Sequence, residues 1–387
     1  MSSIFCANEP TLGYLYQIRY GLKLLLQEQD ENATLLIETI DDISITSSMG
    51  TDVYQTKFHL NNPPNITNAS TDFWKTIRVW SEMVSTGQIN PDTSVFTLVT
   101  TAAASTGSIL AKLSFNVGNE RDVSGIIVDM IEVADTSSNQ TNQAAYTAFK
   151  ALTEEQQTKL VKRIIVLDSS QNINEAKDAI LTILRVTCKN YESLFERVEG
   201  WFINQVILQL QNQRQGISFR ELQQIIWDVI DSLKSDNLPA DFLSSIVGDE
   251  TQLSAYRNMP FVKQLQIIGA QPQTINHAIS DYHRAFSQAS KWLREGLISP
   301  NDQMEYHAKL HDDWSRKYSA LCGIVDGEEE NLSAERGHNF YKNFYVAQYP
   351  PIHIKERFKE VYMVIGSCQM LSDSKKIGWH PKYETLI

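Results

Sequence analysis

Four polar residues near the start of the chain are of types found together in metal-dependent phosphate chemistry: Glu38, Asp42, Gln55 and Lys57. Two carboxylates and an amide supply hard oxygen ligands, which Mg²⁺ prefers together with a few waters. A lysine beside them orients or activates a metal-bound water and offsets negative charge that develops on a phosphate. These residue types therefore predict a Mg²⁺ site, in which Mn²⁺ is expected to substitute.

Three short predicted strands carry these residues. Residues 34–40 form an apolar run that is too short for a helix and rich in β-formers, and residues 43–46 alternate between apolar and polar side chains. Residues 47–52 have the composition of a turn, and residues 53–60 alternate again. The pattern predicts three consecutive strands, of which the second and third form a hairpin.

The hairpin is expected to bring the candidate side chains together. Gln55 and Lys57 are two residues apart, so their side chains point to the same face of the third strand. The hairpin places Asp42 beside that strand near its open end, and Glu38 lies at the end of the preceding strand. We therefore expect the four side chains to converge at one end of the sheet.

The remaining elements predict a chain in two parts. An amphipathic helix precedes the strands, a second helix covers residues 73–84, and two further buried strands follow it. From about Asn174 onwards every longer periodic segment is helical. The predicted fold is an α/β domain over residues 1–235, with a mixed central sheet flanked by helices, followed by an all-α region over residues 236–387.

Charge and composition exclude several classes of protein. The 387 residues carry 46 acidic against 34 basic side chains, a net charge of -12, which argues against a protein that coats nucleic acid by bulk positive charge. The sequence has no secretory signal pattern and no apolar run of about 18–20 residues. The four cysteines form no CxxC pair: Cys6, Cys188, Cys322 and Cys368. We expect a protein of the reducing cytoplasm that does not bind membranes.

Motifs around the candidate residues resemble a known nuclease family. These motifs are Gly13-x-x-Tyr16-Gln17, Ile37-Glu38-x-x-Asp41-Asp42-Ile43, Gln55-Thr56-Lys57-Phe58-His59 and Asp72-Phe73-Trp74-Lys75-Thr76. Together they resemble the double-stranded DNA endonuclease domain of bacterial anti-phage effectors, including the CBASS-associated endonucleases. The resemblance implies a PD-(D/E)XK nuclease fold, with Gln55 in place of the more usual second acid.

The resemblance extends into the helical region. The motifs that carry it are Val198-Glu199-Gly200-Trp201-Phe202, Asp281-Tyr282-His283-Arg284-Ala285-Phe286 and Ile377-Gly378-Trp379-His380-Pro381. They are similar to the Lamassu, or DNA-defence-module, effector nuclease subunits of three-component ABC-ATPase systems. The resemblance implies a Mg²⁺-dependent double-stranded DNA endonuclease that serves as effector of an anti-phage and anti-plasmid complex. It also implies docking to an SMC-like ABC ATPase subunit and a small accessory subunit, and self-association on activation, for example into a tetramer.

The resemblance assigns a role to each candidate residue. Asp42 corresponds to the main metal ligand, Glu38 and Gln55 to supporting ligands, and Lys57 to the catalytic lysine. Asp41 is the alternative to Asp42 as the main metal ligand, because a shift of the strand register by one residue would exchange which of the two side chains faces the site. An amide oxygen binds Mg²⁺ more weakly than a carboxylate, so Glu38 is expected to compensate for Gln55.

The sequence leaves the roles of several other residues undecided, and it allows a second function. Gln17 approaches the site from the first helix or lies on the helix surface, and His59 contacts phosphate or is a solvated histidine. His307 and His311 have the spacing of a zinc-ligand pair, but no third ligand appears at metal spacing. The alternative function is a catalytically inactive adaptor subunit of the same complex. For the nuclease, the acidic charge predicts weak binding of DNA by a lone subunit.

Overall fold

A computed structural model shows a chain that divides into two compact units, Met1–Asp228 (unit 1) and Val229–Ile387 (unit 2). It describes residues 8–59, 65–115, 117, 121–324, 327 and 329–387. Cys6 and the predicted end of the third strand at Leu60 lie outside these residues. The boundary between residues 235 and 236 that the sequence suggests remains a prediction.

A six-stranded mixed sheet forms the centre of unit 1. Its strands are β1 (Thr34–Ile37), β2 (Ile43–Ser47), β3 (Gly50–Lys57), β4 (Phe96–Thr100), β5 (Ile164–Leu167) and β6 (Ile217–Ser218). The order across the sheet is β5-β4-β3-β2-β1-β6, in which β3, β4 and β5 run parallel and the other pairs are antiparallel. The predicted mixed central sheet is confirmed.

The helices of unit 1 follow the predicted alternation with the strands. They are α1 (Asn8–Gln27), α2 (Thr71–Ser85), α3 (Ile109–Lys112), α4 (Val123–Thr136), α5 (Gln143–Lys150), α6 (Glu154–Arg163), α7 (Ile173–Leu184), α8 (Tyr191–Leu210) and α9 (Phe219–Ser232), which continues past Asp228. Side-chain caps begin several of them. At α7, for example, Asn172 accepts hydrogen bonds from two backbone N–H groups and Glu175 completes a capping box.

The apolar stripe of α2 builds much of the core beside the sheet. Phe73, Trp74, Ile77 and Trp80 are at most 1% exposed. Burying four such side chains removes a large apolar area from water, which is the main driving force for this packing. The Trp80 ring lies 5.5 Å from that of Phe96 on β4, so the stripe rests on the strand next to β3.

Two predictions about the strands were wrong in detail. The first strand ends at Ile37 rather than at residue 40, because Glu38 has a backbone φ of 53° and its N–H donates to the Asp42 carbonyl at 3.0 Å. A left-handed residue interrupts the extended backbone and starts a tight loop. The strand β6 was not predicted, since two residues carry no periodic pattern.

The described residues of unit 2 contain helices and no strand, which confirms the predicted all-helical C-terminal region. Its helices after α9 are α10 (Glu250–Ser254), α11 (Pro260–Ile267), α12 (Pro272–Arg294), α13 (Pro300–Leu321), α14 (Glu330–Tyr341), α15 (Val361–Asp373) and α16 (Tyr383–Leu386). Among the described residues, no helix is long and apolar enough to cross a membrane.

Gly366 allows α12 and α15 to pack closely. A Cβ atom at Gly366 would lie 2.1 Å from the Asp281 carbonyl oxygen, which is backbone and cannot turn aside. We expect Gly366→Ala to lower the free energy of unfolding by about 2–3 kcal/mol, because the two helices must separate. Gly200→Ala on α8 is the matched control, since it meets no atom within 4 Å and should be neutral or stabilising. Urea unfolding of both variants tests this, and equal stabilities would contradict it.

Candidate functional site

The candidate residues lie where the loop between β1 and β2 meets the end of β3. The hairpin register pairs Ile43 with Tyr54 and Ser47 with Gly50. Continued by one residue, this register sets Asp42 opposite Gln55, as the sequence predicts. The predicted hairpin is therefore present, and it brings the start of β2 to the Gln55-x-Lys57 end of β3.

Asp42 is held by the backbone and hydroxyl of its neighbour on β3. Its Oδ2 atom accepts hydrogen bonds from the Thr56 N–H and from the Thr56 Oγ1 hydroxyl, both at 2.8 Å. No described residue donates a hydrogen bond to the Asp42 Oδ1 atom. A carboxylate with one oxygen fixed and the other open is preorganised to coordinate a cation.

Three buried side chains from different helices anchor the loop over residues 38–42. Gln17 of α1 donates from Nε2 to the Glu38 Oε1 atom at 3.0 Å and to the Asp42 carbonyl at 2.5 Å. Gln209 of α8 donates to the Ile37 carbonyl at 3.1 Å. The third anchor is Trp80 of α2, whose indole N–H donates to the Asp41 carboxylate at 2.7 Å. The loop is therefore positioned by tertiary contacts rather than by its own turn propensity.

Gln17 is only 4% exposed. It therefore approaches the site and does not lie on the helix surface, which are the two positions that the sequence left open. Its bond to Glu38 uses one carboxylate oxygen, and no described residue donates to the other, Oε2. The Glu38 side chain itself is exposed. Gln17 thus ties two of the predicted ligand residues together, Glu38 through its side chain and Asp42 through its backbone.

Asp41 makes different contacts from its neighbour Asp42. The Trp80 indole N–H donates to Asp41 Oδ2 at 2.7 Å, and the Asp42 N–H donates to Asp41 Oδ1 at 3.0 Å. Burial raises the pKa of Asp41 to about 7, while the hydrogen bond from Trp80 opposes the shift. Both oxygens of Asp41 are already engaged, which favours Asp42 as the ligand.

The ionisation of Asp41 predicts a pH dependence of stability. Its pKa is about 7 in the folded chain against an ordinary value of 3.8, so the folded chain keeps a proton between these pH values that the unfolded chain releases. The free energy of unfolding should therefore fall from pH 5 to pH 7, by on the order of 1–2 kcal/mol relative to Asp41→Asn. Urea unfolding at the two pH values measures this difference. Parallel pH profiles for the two proteins would contradict it.

Gln55 and Lys57 complete the predicted set on β3. Gln55 is 7% exposed and Lys57 is half-buried at the end of the strand, where it pairs with Thr100 of β4. Among the described residues, no carboxylate lies within 4 Å of the Lys57 ammonium group. The positive charge of Lys57 nevertheless acts on the Asp41 carboxyl, lowering its pKa slightly. Lys57 is thus a cation near the acidic loop that forms no ion pair with a described residue.

Tyr14 is a site residue that sequence reasoning missed. It lies on α1 three residues before Gln17, so the two side chains share a helix face. Partial burial raises the pKa of its phenol, and the negative charges of Glu38 and Asp42 raise it further. The helical spacing from Gln17 was the signal in the sequence. His59, by contrast, faces α2, where its Nε2 atom lies 3.2 Å from the Asp72 carboxylate.

The donor types suit a hard divalent cation. Asp42 and Glu38 each keep one carboxylate oxygen that no described residue bonds, and Gln55 adds an amide oxygen on the adjacent strand. Among the described residues, no three side chains of the types His, Cys, Asp and Glu are grouped to hold a metal, including His307 and His311. The candidate site therefore rests on two carboxylates and an amide.

The aromatic motif near the C-terminus belongs to the core of unit 2. Gln264 of α11 accepts from the Trp379 N–H at 3.1 Å and donates to the Ile377 carbonyl at 3.2 Å. The Trp314 indole donates to the Gly378 carbonyl at 2.9 Å. Trp379 and His380 are fully buried. These contacts stabilise unit 2.

Comparison with known proteins found one family model that matches part of unit 2. Residues 261–387 match the family model of C-terminal domain 7 of the ABC-three component (ABC-3C) systems. This match supports a phage-defence context and is consistent with partner subunits. A comparison with curated proteins gave no match.

Two solved structures show a distant likeness to the chain. The Cap4 SAVED/CARF-domain containing receptor of Acinetobacter baumannii with the cyclic trinucleotide 2'3'3'-cAAA is 13% identical, with a TM-score of 0.36 over 74% of this chain and 67% of that chain. The corresponding receptor of Moraxella osloensis is 14% identical, with a TM-score of 0.35 over 72% and 68%. At these TM-scores the likeness assigns neither fold nor function to this chain.

Proposed function

We propose that this protein is a Mg²⁺-dependent endonuclease of the PD-(D/E)XK type that cleaves double-stranded DNA. The observation that supports it best is the meeting of Asp42 with the Gln55-x-Lys57 strand, where Thr56 holds one oxygen of the Asp42 carboxylate at 2.8 Å. An acid from the loop before β2 and a lysine on β3 thereby flank one end of the sheet. A carboxylate that can hold a divalent cation and a nearby lysine charge are a combination that can support phosphodiester hydrolysis.

Each residue has a distinct role in this proposal. Asp42 would hold the cation through its open oxygen, with Glu38 and Gln55 as supporting ligands. A bound Mg²⁺ supplies charge stabilisation at the scissile phosphate and lowers the pKa of a coordinated water. Lys57 orients the attacking water and offsets the negative charge that grows on the phosphate oxygens. Gln17 and Thr56 keep the carboxylates in place before substrate arrives, so no reorganisation energy is needed at that moment.

The match of residues 261–387 to an ABC-3C domain supports the cellular setting of the proposal. We propose that the chain is the effector subunit of a Lamassu-like defence complex with an SMC-like ABC ATPase and a small accessory subunit. Release or self-assembly of the subunit, for example into a tetramer, would then supply the wider basic surface that DNA binding needs. Its net charge of -12 agrees with an isolated subunit that binds DNA weakly.

Cleavage assays test the proposal directly. The full-length chain, alone and co-expressed with the products of neighbouring genes, is incubated with duplex DNA, single-stranded DNA and RNA in Mg²⁺, Mn²⁺ or EDTA. We expect metal-dependent internal cleavage of duplex DNA that EDTA abolishes. Preferential cleavage of RNA would make the protein a ribonuclease on the same site.

The alternative is a catalytically inactive adaptor subunit, and calorimetry separates it from the nuclease. An adaptor would bind neither Mg²⁺ nor Mn²⁺ at the loop and would cleave no nucleic acid in the assembled complex. A Mn²⁺ titration that gives the same heat for the wild-type chain and for Asp42→Asn would favour the adaptor.

A further inference from the structure

A cavity in unit 2 combines apolar walls with polar groups that lack partners. It lies between α13 and α15 and the turn after α15, and has a volume of about 570 Å³. That volume falls within the range of sites for small molecules. Met304 and Leu371 supply apolar lining, and Gln303, His307, His311 and Lys376 supply polar groups. None of the lining residues is acidic.

Lys376 is the cation of this cavity. Its side chain is exposed, and among the described residues its ammonium group has no ion pair or hydrogen bond. The neighbouring Lys375 is also exposed, but its ammonium group contacts the carbonyl oxygen of the terminal residue Ile387. The two adjacent lysines are both exposed, and of the two Lys376 alone lines this cavity.

His307 adds a buried nitrogen without a partner. Its Nε2 atom is shielded from solvent and forms no hydrogen bond with any described residue. Burial lowers the pKa of His307, and the nearby positive charge of Lys376 lowers it further. Buried polar atoms nearly always have a hydrogen-bond partner. His307 is one of the residues that line the cavity, so a ligand bound there would supply the partner that its Nε2 atom lacks among the described residues.

The charge of the cavity selects the class of ligand. A metal ion is disfavoured, because the Lys376 ammonium group would repel it and no third ligand joins His307 and His311 among the described residues. An anion instead pairs with Lys376 and satisfies the imidazole nitrogen. The apolar lining favours a ligand with a compact apolar body beside the charged group.

We infer that this cavity binds a small organic anion, with a carboxylate or phosphate group against Lys376 and His307 and an apolar body against Met304 and Leu371. The inference concerns unit 2 and does not depend on nuclease activity. It gives the region that matches the ABC-3C domain a ligand site of its own.

Calorimetric titration of the full-length chain with three probes tests the inference. The probes are phenyl phosphate, benzoate and inorganic phosphate, which separate the charged group from the apolar body. We expect phenyl phosphate or benzoate to bind once per chain with a dissociation constant of about 1 mM or tighter. Inorganic phosphate should bind at least about fivefold more weakly than phenyl phosphate, because it leaves the apolar walls uncovered.

Matched variants assign the binding to this cavity. Lys376→Met should weaken binding by about tenfold or more, since it removes a charged hydrogen-bond donor, and His307→Phe should also weaken it. Lys375→Met removes the same charge from the next residue and should leave the affinity within about twofold. Both lysines are exposed, so neither substitution threatens the fold.

Three results would overturn the inference. The first is no binding of any probe to the wild-type chain, which would mean that the cavity holds water only. The second is an equal loss of affinity in Lys375→Met and Lys376→Met, which would reveal a general surface charge effect. The third is equal affinity for inorganic phosphate and phenyl phosphate, which would exclude an organic ligand.

Discussion

Replacing Lys57 with methionine is expected to reduce the rate of duplex DNA cleavage by about 100- to 1000-fold. The positive charge of the ammonium group acts on the Asp41 carboxyl of the acidic loop, and the group is held in no ion pair among the described residues. Methionine keeps the side chain as far as the ε position and removes the charge that offsets the growing negative charge on the phosphate. The loss should therefore appear in the single-turnover rate more than in DNA binding.

Lys162→Met is the control for this experiment. Lys162 is exposed near the end of α6 in the same unit, so its replacement changes the net charge equally without touching the site. In urea unfolding, the free energy of unfolding of both variants should lie within about 1 kcal/mol of the wild-type value, because neither side chain is part of the core. Full activity of Lys57→Met would remove Lys57 from the mechanism.

The second large effect is expected from Asp42→Asn, which should lower cleavage by at least about 100-fold and weaken Mn²⁺ binding in parallel. The asparagine carbonyl can still accept the hydrogen bonds that Thr56 donates at 2.8 Å, so the loop should keep its conformation. What is lost is the negative charge on the open oxygen. Cleavage rates and calorimetric Mn²⁺ titrations measure the two losses separately.

Asp41→Asn is the matched comparison, and we expect a loss of less than about tenfold. Asp41 already accepts hydrogen bonds from Trp80 and from the Asp42 backbone, so it has no open oxygen for a cation. A loss of Mn²⁺ binding in Asp41→Asn with full binding in Asp42→Asn would reverse the two assignments. The pair thus resolves an ambiguity that the sequence left open.

Strand and helix patterns made most of unit 1 predictable. The hairpin and the aromatic stripe of α2 have the local periodicity that burial on one face imposes on the sequence, and the strands beyond the hairpin are short apolar runs. Strand ends were less predictable. Glu38 ends β1 because its left-handed backbone is stabilised by the hydrogen bond that its N–H donates to the Asp42 carbonyl. No local sequence pattern predicts this hydrogen bond.

The anchors of the acidic loop were the least visible in the sequence. Gln17 reaches Glu38 across 21 residues of chain, Trp80 reaches Asp41 across 39, and Gln209 reaches Ile37 across 172. Each of these residues is an ordinary helix residue by composition. Their roles depend on which helix faces pack beside the sheet, and that follows from the fold as a whole.

The sequence by itself determined the chemical types of the candidate site, the order of the elements that carry it and the two-part division into an α/β region and helices. The tertiary structure alone decided which aspartate keeps an open oxygen and that Gln17 contacts the site rather than solvent, and it added Tyr14. The physical reason is that side-chain direction in an irregular loop is not set by local backbone preferences. It is set by the buried donors that satisfy one carboxylate and leave the other open.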